Sequence, residues 1–326
     1  MNYVIVENRE IKKKDLEFFN IQNKLISLFE KENYEEGHKI ILEMIKTFPE
    51  EPTITYSWAS FLPYYSGNLE KALNLLEEGF SKGAWWSKSS LEGDYEKLQK
   101  FPRFQKLIDL SEEKRDSILS KESPNLFVRL PDSYSKHRKY PLILSLHGRS
   151  SNGINSDILW HDLVNQREII VASLQSSQET SKSHFDWDNR EKSIEDLRKC
   201  LNFLKEKYSI DNSQVIVAGV SQGIDVGLIS YFAKEIVASG FIGIIPSVYY
   251  FDNEFIEKGK IQHIEDKIRV CFIVGEEDPR YQRTEKVTKV LRKKGAKIKI
   301  ISCSETGHYY PENYNSLILE AVDFVL

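Results

Sequence analysis

Gly219-Val220-Ser221-Gln222-Gly223 sets a serine between two glycines. The apolar run QVIVA precedes it, and the helical pattern QGIDVGLISYFAKEI follows. Strand, tight turn and helix in that order lift the serine hydroxyl above the edge of a sheet. The glycines let the chain turn without Cβ clashes. The helix start aims free N–H groups at an oxygen that becomes negatively charged during attack on a carbonyl. That chemistry is acyl transfer. A serine hydroxyl is a poor nucleophile unaided, so a base and a group that orients the base must lie elsewhere in the chain.

There are seven histidines. His308, in Glu305-Thr306-Gly307-His308-Tyr309-Tyr310-Pro311, lies just past the last expected strand and before the last expected helix. A loop there reaches the sheet edge where Ser221 sits, so His308 is the expected base. His38, His137, His161, His184 and His263 read as surface residues. For the orienting acid, Gly275-Glu276-Glu277-Asp278-Pro279 follows the apolar run VCFIV, and its three acids compete. Asp278 is favoured because its short side chain sits on the turn just beyond the strand, before a proline; Glu276 and Glu277 read as solvated. A second site-forming segment is Leu144-Ser145-Leu146-His147-Gly148-Arg149-Ser150-Ser151-Asn152-Gly153, a strand ending in His-Gly and a loop of small residues. The backbone N–H groups of Arg149 and Gln222 are the expected oxyanion donors. Glycine at 148 lets the backbone approach a substrate, and His147 reads as a brace for the loop. The Arg149 side chain either stays in solvent or meets an anionic substrate group.

The elements that must hold these residues begin near residue 122, where the chain changes character. Residues 125–130, 142–146, 169–172, 214–218, 241–245, 270–274 and 298–301 read as strands, several of them continuous apolar runs of the kind buried on both faces. Helical patterns at about 194–208, 222–238, 284–294 and 313–326 alternate with them. The predicted fold class is α/β: a mostly parallel, doubly wound sheet covered on both faces. The first 120 residues read instead as helices. Asn33-Tyr34-Glu35-Glu36-Gly37 aligns with Asn68-Leu69-Glu70-Lys71-Ala72. The offset of about 35 residues is close to the tetratricopeptide period. Gly37 and Ala72 stand where paired helices of such a repeat need a small residue. A further helix is expected over 101–119, and Lys121-Glu122-Ser123-Pro124 reads as a linker. The expected organisation is thus a tetratricopeptide-like helical domain at 1–120 and a catalytic domain at 121–326.

Taken together, LHGRSSNG, GVSQG, GEEDP and TGHYYPE resemble the α/β-hydrolase superfamily, and within it the phospholipase/carboxylesterase-type esterases, over residues 125–326. The order Ser221, Asp278, His308 is the one this superfamily uses. The resemblance implies a serine esterase that cleaves a carboxylic ester through an acyl-enzyme, with this triad, the donors at Arg149 and Gln222, and no cofactor or metal. His184-Phe185-Asp186-Trp187-Asp188 is similar to the Trp-Asp stretch between the oxyanion loop and the serine turn of these esterases. Trp187 is therefore either a wall of the substrate pocket or simple packing. The family usually carries a second small residue after the turn; Ile224-Asp225 stands there instead, and Asp225 reads as structural. A peptidase or thioesterase would use the same triad. A non-catalytic interaction protein would use the helical repeats.

The bulk composition excludes other classes. The chain of 326 residues is 40% hydrophobic and 29% charged, with a formal charge of −4. That is a core-forming composition with no basic footprint for nucleic acid. No run approaches the roughly 18 apolar residues of a membrane span, and the N-terminus lacks a secretory apolar stretch. The three cysteines, Cys200, Cys271 and Cys303, show no metal-type spacing and read as buried thiols of a reducing compartment. The expected setting is the cytoplasm, with a small-molecule ester as substrate and self-association or a protein partner through the helical domain.

Overall fold

The computed structural model describes residues 3–119, 125–261, 264 and 268–326. The expected linker at 121–124 and His263 lie outside the described residues. The chain forms two compact units. One comprises residues 1–12, 123–178 and 186–326; the other comprises residues 13–122 and 179–185.

The first unit is built on an eight-stranded sheet. Its strands are β1 (Val4–Glu7), β2 (Asn125–Arg129), β3 (Tyr140–Leu146), β4 (Ile170–Leu174), β7 (Ile210–Val220), β8 (Gly240–Ile244), β9 (Arg269–Gly275) and β10 (Lys297–Cys303). They lie in the order β1-β2-β4-β3-β7-β8-β9-β10. From β4 to β10 the pairs are parallel, while β2 runs antiparallel to β4 and β1 runs parallel to β2. The central strands β3, β4, β8 and β9 are buried almost throughout, because helices cover both faces of a sheet whose strands are apolar on both sides. β5 (Gln178–Ser181) and β6 (His184–Asp186) form a separate two-stranded ribbon. The connections carry α7 (Gly153–Ile158), α8 (Leu163–Arg167), α9 (Arg190–Lys207), α10 (Gln222–Phe232), the short turn α11 (Tyr249–Phe251), α12 (Tyr281–Lys293) and α13 (Tyr314–Val325). A bidentate pair between Arg129 and Asp157, at 2.6 and 2.5 Å, is buried among them.

The predicted strands and helices all occur, with shifted ends. α10 stops at Phe232 rather than running to 238, because Lys234 takes a left-handed φ of 63° and ends the helix. α9 starts at Arg190, earlier than its apolar spacing suggests, because the Asn189 side chain accepts the Lys192 N–H at 3.1 Å and caps it.

The helical unit comprises α1 (Lys13–Glu30), α2 (Tyr34–Thr47), α3 (Pro52–Tyr65), α4 (Leu69–Ser81), α5 (Lys88–Asp94) and α6 (Pro102–Leu119). The 35-residue offset has a structural counterpart: Asn33 and Asn68 are the N-cap residues of α2 and α4. Gly37 and Ala72 are both buried, and a Cβ at Gly37 would meet the Phe29 ring at 3.1 Å. Within this unit the 179–185 segment joins the backbone of residues 85–87. Ser87 N–H donates to the Thr180 carbonyl at 2.5 Å, and Trp86 and Ser181 form an antiparallel bridge.

Three expectations need correction. A single cut at 120/121 does not describe the chain, because β1 pairs in the sheet and 179–185 belongs to the helical unit. His184 is buried rather than on the surface. Its Nδ1 bonds the Lys182 carbonyl at 2.8 Å, and burial pushes its pKa down to about 4. Of the thiols, Cys200 and Cys271 are buried, but Cys303, on the edge strand β10, is only half-buried.

Candidate active site

β7 ends at Val220 and α10 begins at Gln222, so one residue, Ser221, makes the whole turn. Its φ of 46° and ψ of −111° lie where non-glycine residues rarely go. Both its backbone groups are held. Ser221 N–H donates to the Ile244 carbonyl at 3.0 Å, and Ser247 N–H donates to the Ser221 carbonyl at 3.2 Å. The flanking glycines are needed for clearance. A Cβ on Gly219 would lie 2.3 Å from Ile224 N, and one on Gly223 would lie 2.5 Å from the Leu146 carbonyl oxygen. The turn can therefore close only if both positions lack a side chain.

The structure brings the three expected residues together. Ser221 Oγ lies 2.9 Å from His308 Nε2, and His308 Nδ1 lies 2.6 Å from Asp278 Oδ2. An ionised carboxylate can only accept, so Nδ1 carries the proton and Nε2 is left to accept from the serine. Asp278 Oδ1 accepts the Arg280 N–H at 2.8 Å. Burial pushes the Asp278 carboxyl up, but the hydrogen bond and charge of His308 and the Arg280 N–H outweigh it and leave its pKa below the usual carboxylate value. Glu276 and Glu277 are exposed. Their N–H groups have a different role: Glu276 N–H donates to the Cys303 carbonyl at 2.9 Å, and Glu277 N–H to the Thr306 carbonyl at 3.0 Å. These bonds join the acid turn to the histidine loop. Gly275 permits the approach, since a Cβ there would lie 2.2 Å from the Thr306 carbonyl oxygen.

Gln222 is the first residue of α10, where N–H groups have no acceptor within the helix and the helix dipole is positive. Arg149 lies in the loop after β3, and a Cβ on the preceding residue, Gly148, would lie 3.7 Å from Ser221 Cβ. That loop therefore runs beside Ser221. His147 braces it: Nδ1–H donates to the Gly148 carbonyl at 2.7 Å, and Nε2 accepts the Ser176 N–H at 3.2 Å. The Arg149 side chain stays in solvent over more than half of its surface, at 57% exposed, with its guanidinium turned toward two acids. It faces Asp186 Oδ2 at 3.4 Å and Asp188 Oδ2 at 3.8 Å. Trp187 is 3% exposed, and its ring packs at a tilt against the His147 ring, 4.9 Å between centroids. It also lines a cleft with Gln222, Ile194, Val226, Ile229 and Tyr250, whose lining does not include Ser221 or His308, so packing is the role the structure gives it.

Asp225 lies buried beneath the turn. Its Oδ2 accepts Tyr249 N–H and its Oδ1 accepts Phe251 N–H, each at 3.0 Å. Burial pushes its pKa up to about 6 despite these bonds. It fastens α11 to α10, which is a structural role. The residues the sequence reading missed are Asp186, Ser176 and Asp188. The acids stood in the quoted HFDWD run, but nothing in their spacing reveals that they face the 147–150 loop.

Strand order, the one-residue turn and the Ser-His-Asp chain past later strands are one arrangement. The fold is that of the α/β-hydrolases. Its likeness extends over both units: an uncharacterised protein from Bacillus cereus ATCC 10987 aligns over 94% of this chain and 98% of its own, with TM-score 0.52 and 23% identity. Residues 17–118 match the family model described as A/B hydrolase-like, N-terminal domain. Weaker similarities are to a Bacillus cereus carboxylesterase (16% identity, 64% of this chain and 98% of that one, TM-score 0.49) and to a phospholipase/carboxylesterase from Dyadobacter fermentans DSM 18053 (14%, 62% and 97%, 0.46). A comparison with curated proteins found no match. No helix among the described residues is long and apolar enough to cross a membrane.

Proposed function

We propose that the protein is a serine hydrolase that cleaves carboxylic esters through an acyl-enzyme, with Ser221, His308 and Asp278 as its catalytic residues. The observation that carries this reading is the unbroken chain from Ser221 Oγ through His308 to Asp278 Oδ2, at 2.9 and 2.6 Å. In the reaction, His308 Nε2 takes the hydroxyl proton as Oγ attacks the ester carbonyl. Asp278 holds the Nδ1–H tautomer and balances the imidazolium charge. The backbone N–H groups of Arg149 and Gln222 take the developing oxyanion. His308 returns its proton to the leaving alcohol, then takes one from water, which attacks the acyl-enzyme and frees Ser221.

The test is reaction of the full chain with a fluorophosphonate, which forms a bond to an activated serine, beside turnover of p-nitrophenyl acetate and butyrate. Wild type is expected to label once per chain. Ser221→Ala should not label, and its turnover should fall by about 10³-fold or more. A wild type that neither labels nor turns over any ester removes the reading. Including a thioester and a peptide p-nitroanilide in the panel decides among esterase, thioesterase and peptidase.

A further inference from the structure

The two expected oxyanion donors leave the sheet from neighbouring strands. The last ladder pair of β3 with β7 is Leu146 with Gly219, so no sheet bond ties Arg149 to Gln222 beyond it. Residues 186–188 do tie them. Toward the first donor, Asp186 Oδ1 accepts the Ser150 N–H at 2.6 Å, and the Trp187 indole N–H donates to the His147 carbonyl at 2.9 Å. Ser150 has a left-handed φ of 51°, a conformation that needs such a hold. Toward the second donor, Trp187 N–H donates to Gln222 Oε1 at 3.1 Å, and Gln222 Nε2 donates to Asp188 Oδ1 at 2.7 Å. The Arg149 guanidinium closes the figure by facing both acids.

The three residues are themselves anchored. Ser176 Oγ donates to the Asp186 carbonyl at 2.6 Å, and Ser193 Oγ to the Trp187 carbonyl at 3.2 Å. The Asp186 side chain is 2% exposed. A buried carboxylate is costly unless its oxygens are occupied by donors, so Asp186 holds Ser150 as firmly as Ser150 holds it.

We propose that Asp186, Trp187 and Asp188 form a yoke that fixes the spacing of the two oxyanion donors, with Asp186 and Asp188 as positioning residues for the acyl-transfer step. This rests on the serine hydrolase reading. A yoke acts when the carbonyl oxygen gains charge, so loosening it slows the chemical step and leaves ground-state binding alone.

Asp186→Ala, Asp186→Asn and Asp188→Ala in the full chain would be compared with wild type for kcat and KM on p-nitrophenyl acetate. Affinity for phenylboronic acid, which forms a tetrahedral adduct on an active serine, and melting temperature would be read alongside. Removing an oxyanion donor outright costs about 10²–10³ in kcat; displacing one should cost roughly 10–100-fold in Asp186→Ala, with KM within about twofold and boronate affinity falling in step. Asp188→Ala should shift the same two readouts in the same direction. Asp186→Asn keeps an oxygen for the Ser150 N–H and should recover most of the loss. The yoke fails if KM rises while kcat holds, if kcat falls with boronate affinity intact, or if Asp186→Asn loses as much as Asp186→Ala. A wild type inert to fluorophosphonate removes the hydrolase reading and the yoke with it. A wild type that reacts, with Asp186→Ala reacting equally fast, removes the yoke alone.

Discussion

Ser221 holds a backbone conformation that costs on the order of 1–3 kcal/mol, and its surroundings must supply that energy. They do so through contacts at the limit of approach. The Gly223 Cα stands where one more carbon would lie 2.5 Å from the Leu146 carbonyl oxygen and 2.6 Å from that of His147. A backbone oxygen at the end of a buried strand cannot swing aside as a side-chain tip can. Gly223→Ala should therefore lower stability by about 1–3 kcal/mol, read from urea unfolding, and slow fluorophosphonate labelling because Ser221 is displaced. An alanine variant that unfolds at the wild-type urea concentration and labels at the wild-type rate would show that the turn does not need this clearance. At the same scale, legibility divides clearly. That Ser221, His308 and Asp278 meet could be read because a hydroxyl, an imidazole and a carboxylate at the ends of successive elements are particular residue types in a fixed order. Asp186 could not, because its role depends on the path of the 147–150 loop, and loop paths leave no periodic pattern in sequence.

At the scale of elements, the long apolar runs of β3, β7, β8 and β9 declared themselves, since burial on both faces demands unbroken apolar sequence. β1 did not: four residues followed at once by charges carry too little pattern. The β5–β6 ribbon was hidden for a different reason: Gln178, Glu179 and Thr180 of β5 are polar and only half-buried, and a ribbon held by backbone pairing leaves no apolar alternation to read. The joint between α10 and α11 shows how one residue can link elements. Asp225 takes two N–H groups of the 249–251 turn, yet burial raises its pKa from the ordinary value to about 6. A carboxyl whose folded pKa exceeds its unfolded one binds its proton more tightly in the folded state. Its contribution to stability is fully present below the unfolded pKa, near 3.8, and is lost as pH rises through about 6. The shift corresponds to about 3 kcal/mol at most. The stability of wild type relative to Asp225→Asn should thus fall between pH 4 and pH 7. Urea unfolding of both proteins across that range gives the difference directly, since other titrating groups cancel. A difference that is flat or rises with pH would show that Asp225 is ionised in the fold with little burial cost.

At the scale of the whole molecule, the chain enters the sheet, leaves it and returns. Residues 3–12 belong with the sheet, and helices α1–α6 come between β1 and β2 in chain order. β1 is more than a passing contact. Ile5 and Tyr3 pack on the sheet core, and the Tyr3 ring meets Phe203 at 5.4 Å. The Tyr208 hydroxyl donates to Glu7 Oε1 at 2.5 Å, and Asn8 N–H donates to the Val128 carbonyl at 2.8 Å. A chain beginning at residue 121 therefore loses an edge strand as well as the helices, and an activity change in it cannot be assigned to the helical unit. The comparison that separates the two effects splices residues 1–12 to residue 125 through a flexible linker of about ten residues, whose mean reach of roughly 17 Å spans the return that parallel strands require. Both shortened chains lack residues 13–120, so their difference belongs to β1. Partial burial of two apolar side chains is worth about 2 kcal/mol, and the spliced chain should be the more stable by that amount in urea unfolding. Equal unfolding midpoints would mean that β1 lies on the sheet without supporting it. A spliced chain that gains the stability and still labels at Ser221 would place the catalytic machinery wholly within the sheet unit.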